Sequence, residues 1–329
     1  WVATSLGLHK LLIYFPDRLG TLLSSRKKSL VSRVGDLCLI AAFSGIYMIY
    51  GVQDFGHIFE AVQIEGNLLS NNTWIGWLII FGAILKSAQF PFHTWLPDTM
   101  GAPTPVSALM HAGIINGGGY LVVRLSPVLV HTLGALHMLA IVGALTAVYA
   151  SMVMLSQTSV KRALAYSTIA QMGFMLLQCG LGAFHLAVLH LVAHSLYKGH
   201  AFLSCGSAVE TAKKLNAKPH YAKLKPSRIW LAIGVSFAIV LGLSISFNVS
   251  PSDKPGMLVL SMVLVMALTQ LLWTAMRRGQ AGIAFAGTTA VAGSITALYY
   301  LLAMVAEMML STAVPAEVSV APIFETIIA

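Results

Sequence analysis

Five residues that can carry a proton stand inside segments otherwise built from apolar side chains. Lys86 closes the run "WIGWLIIFGAILK", His111 lies in the next segment, and His190, His194 and Lys198 share "FHLAVLHLVAHSLYKGHAF". A charge at the centre of a bilayer costs at least ~2.5–3.5 kcal/mol on insertion scales, so such residues read as parts of an ion path rather than of an anchor. Burial disfavours the charged form of an amine, and a buried lysine can therefore release its proton in the physiological range. Imidazole titrates near neutrality and can accept that proton or pass it on. The bland reading of an intramembrane lysine is a side chain whose ammonium snorkels to an interface. That suits Lys10, near the end of the first apolar segment. Alone, His111 reads as a hydrogen-bonded structural histidine; next to Lys86 it reads as the following proton acceptor.

His190, His194 and Lys198 are spaced four apart, which stacks them on one helix face. At 1.5 Å per residue they cover about 12 Å of depth. His-x-x-x-His could also begin a zinc site, but no third ligand or neighbouring Glu accompanies it. The reading is a proton wire with no metal and no cofactor. Pro91 removes a backbone donor and obstructs the carbonyl one turn back, which predicts a break near Ser87. A broken helix at membrane depth survives only where it faces protein or a water-filled cavity. Pro97, Pro103 and Pro105 extend the irregular stretch. Arg33 and Asp36, three apart, are expected to pair at the cytoplasmic end of their span. Glu307 reads equally as a relay carboxylate or as an interfacial residue. Tyr166, Ser167, Thr168 and Gln171 form a polar face read as helix packing.

The elements that must position these residues are membrane spans. The chain is 57% hydrophobic and 9% charged, where soluble domains carry about 25% charged residues, and apolar runs of roughly 20 residues recur throughout. The expected fold class is an all-α polytopic membrane protein. Ten spans are predicted: 1–16, 30–50, 74–97, 104–125, 128–156, 160–182, 184–211, 228–247, 257–276 and 281–310. Arg18, Arg26, Lys27, Lys28, Arg33, Lys161, Arg162, Lys213, Lys214, Lys218, Lys223, Lys225, Arg228, Arg277 and Arg278 then fall on alternate connections. Those are fifteen of the twenty basic residues, while the opposite connections hold only Arg124 and Lys254 beside several acids. The net charge of +9 thus reports topology, with basic connections cytoplasmic, and argues against nucleic-acid binding. The long connections are 51–72, which could form a surface helix, and the basic 212–228. The second divides a core at 1–211 from a linker and further spans at 212–329. Cys38, Cys179 and Cys205 match neither a disulfide framework nor a Cys-x-x-Cys site and read as small buried residues. The start, "WVATSLG", is already apolar, so the sequence reads as lacking N-terminal spans.

"KSAQFPFHTWLPD", "PTPVSALMHAG", "KRALAYSTIAQMGFM" and "HLVAHSLYKGHAFLSCGSA" resemble, in order, the antiporter-like proton-translocating membrane subunits of respiratory complex I and of multisubunit sodium/proton antiporters. With looser similarity at "SRVGDL", the resemblance covers roughly residues 1–210. It implies that Lys86 is the lysine of the first broken helix and His111 its partner on the following helix. His190 and His194 would be connecting histidines and Lys198 the central lysine. The implied fold is a bundle of about fourteen helices with inverted five-helix repeats and broken helices, of which the first four would be absent from this sequence.

Departures from the pattern narrow the resemblance. The family's complex I members have Trp-Glu where this chain has Trp1-Val2, and that Glu pairs with the broken-helix lysine. Without it, Lys86 is expected to be buried with no compensating carboxylate from that position. A family Glu after "LPD" is also absent, the chain reading Met100-Gly101-Ala102. The second broken-helix signature is replaced by "GLSISFNVSPSDKPG", leaving Lys254 as its only equivalent. Together with "INGGGYLVVRLSP", these features resemble the membrane subunits of DAB-type inorganic carbon transporters. That resemblance implies a large zinc-containing, carbonic-anhydrase-like partner subunit (DabA type) and a multi-pass location in the bacterial inner membrane. The competing readings are a subunit of a complex I-type NADH:quinone oxidoreductase, a sodium/proton antiporter subunit, and an inert membrane scaffold.

Overall fold

The computed structural model describes residues 1–52, 54–206, 227–248, 255–277, 283–311 and 313–315. The described residues divide between two compact units. The first holds α1 (Val2–Leu12), α2 (Leu19–Tyr50), α3 (Phe55–Asn71), α4 (Trp74–Lys86), α5 (Trp95–Asp98), α6 (Thr104–Ala112), α7 (Gly117–Arg124), α8 (Ser126–Leu129), α9 (Leu133–Leu155), α10 (Val160–Gly180) and α11 (Phe184–Leu203). The second holds α12 (Ser227–Ser246), α13 (Pro255–Arg277) and α14 (Ile283–Leu310). The expected boundary at 211/212 and most of the basic linker lie outside the described residues, as does Lys254. Among the described residues, six helices are long and apolar enough to cross a membrane, or seven if the bent pair α3–α4 forms one span. The chain is an all-helical, multi-pass membrane protein.

Several spans differ from expectation, each for a local reason. No proline interrupts residues 19–50, so α2 runs 32 residues and takes Arg26, Lys27, Lys28 and Arg33 into the helix rather than leaving them on a connection. It stops at Gly51, whose φ of 67° supplies the left-handed cap and whose N–H donates to the Tyr47 carbonyl at 2.8 Å. That conformation suits glycine because it has no Cβ. Residues 55–71 form α3, whose first turn is capped by the Asp54 carboxylate accepting from Gly56 N–H at 2.9 Å. It buries Ile58, Val62 and Leu69 and meets α4 at 94°. The expected 74–97 span ends at Lys86, and the expected 104–125 span is interrupted between α6 and α7 by a single 3-10 turn, Ile114–Asn116.

The first unit packs tightly where small residues allow it. A Cβ added at Gly143 of α9 would lie 2.6 Å from the Gly173 carbonyl oxygen, and one at Gly173 of α10 would lie 2.7 Å from that of Gly143. Small residues let the two backbones touch, the usual solution where lipid offers no hydrophobic drive for helix association. α10 packs in turn on α11, which packs on α6. In the second unit, Ala232, Leu272 and Met276 form one small core and Val240, Leu268 and Ala292 another.

Candidate functional site

Two polar clusters lie within the apolar first unit. The first is built where α4 ends. Lys86 is its last residue, Ser87 caps it by donating its N–H to the Ala83 carbonyl at 3.0 Å, and Ala88 takes a left-handed φ of 50°. Pro91 follows at the head of a 3-10 turn, Phe92–Thr94. The loop is tied down by Phe90 N–H donating to Thr146 Oγ1 of α9 at 3.1 Å. The Ser87 hydroxyl donates to the Ile115 carbonyl at 3.1 Å. A Cβ at Gly118 would collide with Ser87 Oγ and the Ala83 carbonyl oxygen, so the start of α7 approaches the break as closely as glycine permits.

Lys86 is 7% exposed, its side chain covered by the surrounding helices of this unit. Its Nζ donates to Ser5 Oγ of α1 at 2.7 Å and stands 4.4 Å from the centre of the Trp1 ring. On α2, Arg33 Nη2 meets Asp36 Oδ2 at 2.8 Å. This pair lies mid-helix, not at the helix end where the sequence suggests it, because α2 begins at Leu19, well before Arg33. Asp36 is buried, and its charge acts on Lys86. Residue 2 remains a valine and offers Lys86 no carboxylate; the carboxylate whose charge acts on Lys86 is Asp36 of α2, a residue the sequence paired only with Arg33. Lys28, expected on a connection, is buried in the same cluster and donates to the Ser5 carbonyl at 2.9 Å.

The second cluster joins α6, α10 and α11. Lys198 is 0% exposed and donates to Ser167 Oγ of α10 at 2.7 Å. Two turns earlier on α11, His190 Nδ1 lies 3.0 Å from Gln178 Oε1; with the imidazole donating, Nε2 is left as the acceptor. The rings of His190 and His194 are 6.2 Å apart. His111 is 0% exposed and stacks on Phe202, with ring centres 4.4 Å apart. Both ring nitrogens of His111 and of His194 lack a hydrogen-bond partner among the described residues. The charges of Lys198 and His194 both act on His111. His111 thus groups with the α11 row, whereas the sequence suggested it as the partner of Lys86.

Residues 113–118 connect the clusters. Asn116 donates to Ser195 Oγ of α11 at 2.8 Å, and a Cβ at Gly117 would sit 3.7 Å from Lys86 Cε. Glu307 belongs to the second unit, exposed near the C-terminal end of α14. Among the described residues no group of three or more His, Cys, Asp or Glu side chains converges as a metal site would require.

Sequence reasoning missed Ser5, Lys28, Ser167, Gln178 and Asn116. A signal existed for two of them. Ser167 and Gln178 are eleven residues apart, three helical turns, and so share a face of α10. Paired antiparallel with α11, that face meets Lys198 and His190. The sequence alone reads Ser167 mainly as a packing residue.

Chemically, the arrangement consists of buried amines and imidazoles joined by hydroxyl and amide groups, which can hold and exchange protons. The match to other proteins agrees with it. The model of the family described as "NADH:quinone oxidoreductase/Mrp antiporter, TM" matches residues 1–248. The chain is 43% identical over 258 residues to "Probable inorganic carbon transporter subunit DabB" of Hydrogenovibrio crunogenus, covering 78% of this chain and 50% of that protein. It is 42% identical over 281 residues to the DabB2 subunit of Halothiobacillus neapolitanus, covering 84% and 50%. To NADH-ubiquinone oxidoreductase chain 5 of Metridium senile it is 38% identical over 210 residues, covering 64% and 35%. The chain spans about half the length of the carbon-transporter subunits it matches. Among solved structures, a chain of the Mrp complex from a Dietzia species superposes with a TM-score of 0.58 at 24% identity, covering 97% of this chain and 33% of that one. A chain of respiratory complex I from Thermus thermophilus gives 0.57 at 20% identity, covering 94% and 73%. These two establish likeness of fold. The family match over three quarters of the chain and the buried lysine–histidine clusters lead to one conclusion: the chain belongs to the NADH:quinone oxidoreductase/Mrp antiporter transmembrane family.

Proposed function

We propose that this chain is a proton-conducting membrane subunit that couples the proton gradient to inorganic carbon accumulation by a zinc-containing, carbonic-anhydrase-like partner of the DabA type. The observation that carries the proton reading is the fully buried Lys198 with His111 and His194 beside it. Four imidazole nitrogens without partners among the described residues are what a relay needs, since each can take a proton from a neighbour or a bridging water. In this reading Lys86 receives the proton beside Asp36 and Ser5. It passes through the Asn116 turn to His111 and Lys198, and then along His194 to His190, whose Nδ1 is oriented by Gln178. Each transfer leaves the donor neutral and the acceptor charged. Buried lysines have reason to be there only if something is gained from their charge, which argues against the inert-scaffold reading. Lys254 and Glu307 are the further relay candidates.

The carbon-uptake assignment rests on similarity to the DabB subunits, together with the departures at Val2 and in the second broken-helix signature. Similarity to complex I chain 5 supports the second reading, a subunit of a redox-driven proton pump. The basic connections are proposed to face the cytoplasm of a bacterial cell. Two measurements test the reading. Co-purification of the full-length protein with a zinc protein favours carbon uptake, whereas co-purification with flavin or iron–sulfur subunits favours the redox pump. Proton-driven uptake that survives Lys198→Met in an assembled complex would remove the relay reading.

A further inference from the structure

A buried lysine that the proton path above does not use is Lys28. It is 2% exposed, deep in an apolar unit, although it sits in a run of basic residues that reads as a connection. Its Nζ donates to the carbonyl oxygen of Ser5 at 2.9 Å, while Lys86 Nζ donates to the hydroxyl of that same serine at 2.7 Å. Two ammonium groups from two helices, α2 and α4, therefore hold opposite atoms of one residue on a third, α1. The two oxygens of a serine are no more than about 4.5 Å apart, so the two nitrogens are within about 10 Å of each other.

Two further charged groups act on this pair. Arg33 and Asp36 lie on the next turns of α2, and both act on Lys28 as well as on Lys86. His9 of α1 is held by the Ser25 hydroxyl, with 2.7 Å between Oγ and Nδ1. Asp36 is shared with Arg33, leaving one carboxylate among three cations. Such a site accommodates one lysine charge more easily than two. At an effective dielectric constant of about 20, two charges ~10 Å apart disfavour each other by on the order of tenfold in an equilibrium constant.

We propose that Lys28 is a positioning residue for the proton step at Lys86: its ammonium, coupled to Lys86 across Ser5, sets how readily Lys86 gives up its proton. This rests on the reading of Lys86 as a proton carrier. The coupling across Ser5 acts both ways, and the charge of Lys86 acts on Lys28; while Lys28 keeps its proton, Lys86 is held closer to the neutral amine that can accept the next proton. A structural lysine would do no more than tether α1 to α2 through the Ser5 carbonyl.

The test uses the full-length protein in its complete transporter, reconstituted in vesicles, with proton-driven uptake measured against pH. Lys28→Met removes the charge and keeps the side-chain length; Lys28→Gln removes the charge and keeps an N–H donor for Ser5; Lys28→Arg keeps both charge and donor. In the neutral variants Lys86 should hold its proton to more alkaline pH, moving the half-maximal pH of uptake upward by about one unit, a tenfold change in proton concentration. Lys28→Arg should stay at the wild-type midpoint. If Lys28→Met does not assemble, Lys28→Gln decides. A midpoint within about 0.3 unit of wild type in the assembled neutral variant overturns the proposal. Lys198→Met separates the two failures. If it still transports, the relay itself is wrong; if it is dead while Lys28→Gln keeps the wild-type midpoint, only the role given to Lys28 fails.

Discussion

Replacing Lys198 with Met isolates the proton-carrying role from the structural one. Met matches Lys in length and flexibility and removes only the amine. The cost of holding the charge in an apolar span, at least ~2.5–3.5 kcal/mol, is relieved. The hydrogen bond from the ammonium to Ser167 Oγ, 2.7 Å long, is lost, and hydrogen bonds to charged groups are worth about 1.5–3 kcal/mol. The two terms nearly cancel, so the variant is expected to fold and assemble with a stability change within about 1–2 kcal/mol. Transport is another matter. No exchangeable proton remains between Ser167 and His194, and removal of a positioned acid or base typically costs 10²–10⁴-fold in rate. Uptake driven by an imposed pH gradient should therefore fall at least ~100-fold per assembled complex. Lys198→Arg should not rescue, because guanidinium keeps its charge in any accessible pH range and would bring more donors than Ser167 can satisfy. Uptake within about threefold of wild type in Lys198→Met, with assembly verified by gel filtration, would refute the reasoning, since the expected loss is so much larger.

The remaining predictions concern the break, the neighbouring histidine and the topology. Gly118→Ala should destabilise the packing of α7 on the Ser87 turn by about 1–3 kcal/mol, the usual range for overpacking; an unchanged thermal midpoint in detergent would contradict the close approach. His111→Ala should impair uptake while leaving Phe202 packed, and wild-type uptake would exclude His111 from the path. Val2 and Asp36 line one cavity of ≈ 790 Å3, so Val2→Glu adds a second carboxylate to that cavity; where it reaches Lys86 it should hold the proton there, slowing uptake and shifting its pH profile. An unchanged rate and profile, with crosslinking placing residue 2 beside Lys86, would sink that account. Cysteines introduced at Ser70 and Ser227 should be labelled by an impermeant reagent from opposite sides of the membrane; labelling from one side would refute the proposed topology.

Much of the architecture is legible in the sequence. Lys86, His111, His190, His194 and Lys198 stand out because a charge or imidazole in an apolar span is costly, and cost is visible in one dimension. The four-residue spacing put the α11 row on one face, and the end of α4 at Lys86 lies one turn before Pro91, where a missing N–H and a steric clash act locally. All of these are short-range effects, written in neighbouring residues. What the sequence could not decide was who meets whom. His111 follows Lys86 by twenty-five residues, yet it stacks on Phe202 and faces Lys198 and His194, because the interruption at residues 113–116 and the packing of α6 on α11 choose its neighbours. The charge of Asp36 acts on Lys86 from a helix fifty residues earlier. Ser5 and Ser167 look like ordinary packing residues until a lysine from another helix is laid against each. Lys28 shows the limit most clearly: in a run of basic residues it reads as surface charge, and only the packing of α1 and α4 on α2 buries it. The periodicity of a helix tells which residues share a face. Which face another helix covers depends on the fit of side chains far apart in the chain, and that is settled only when the bundle assembles.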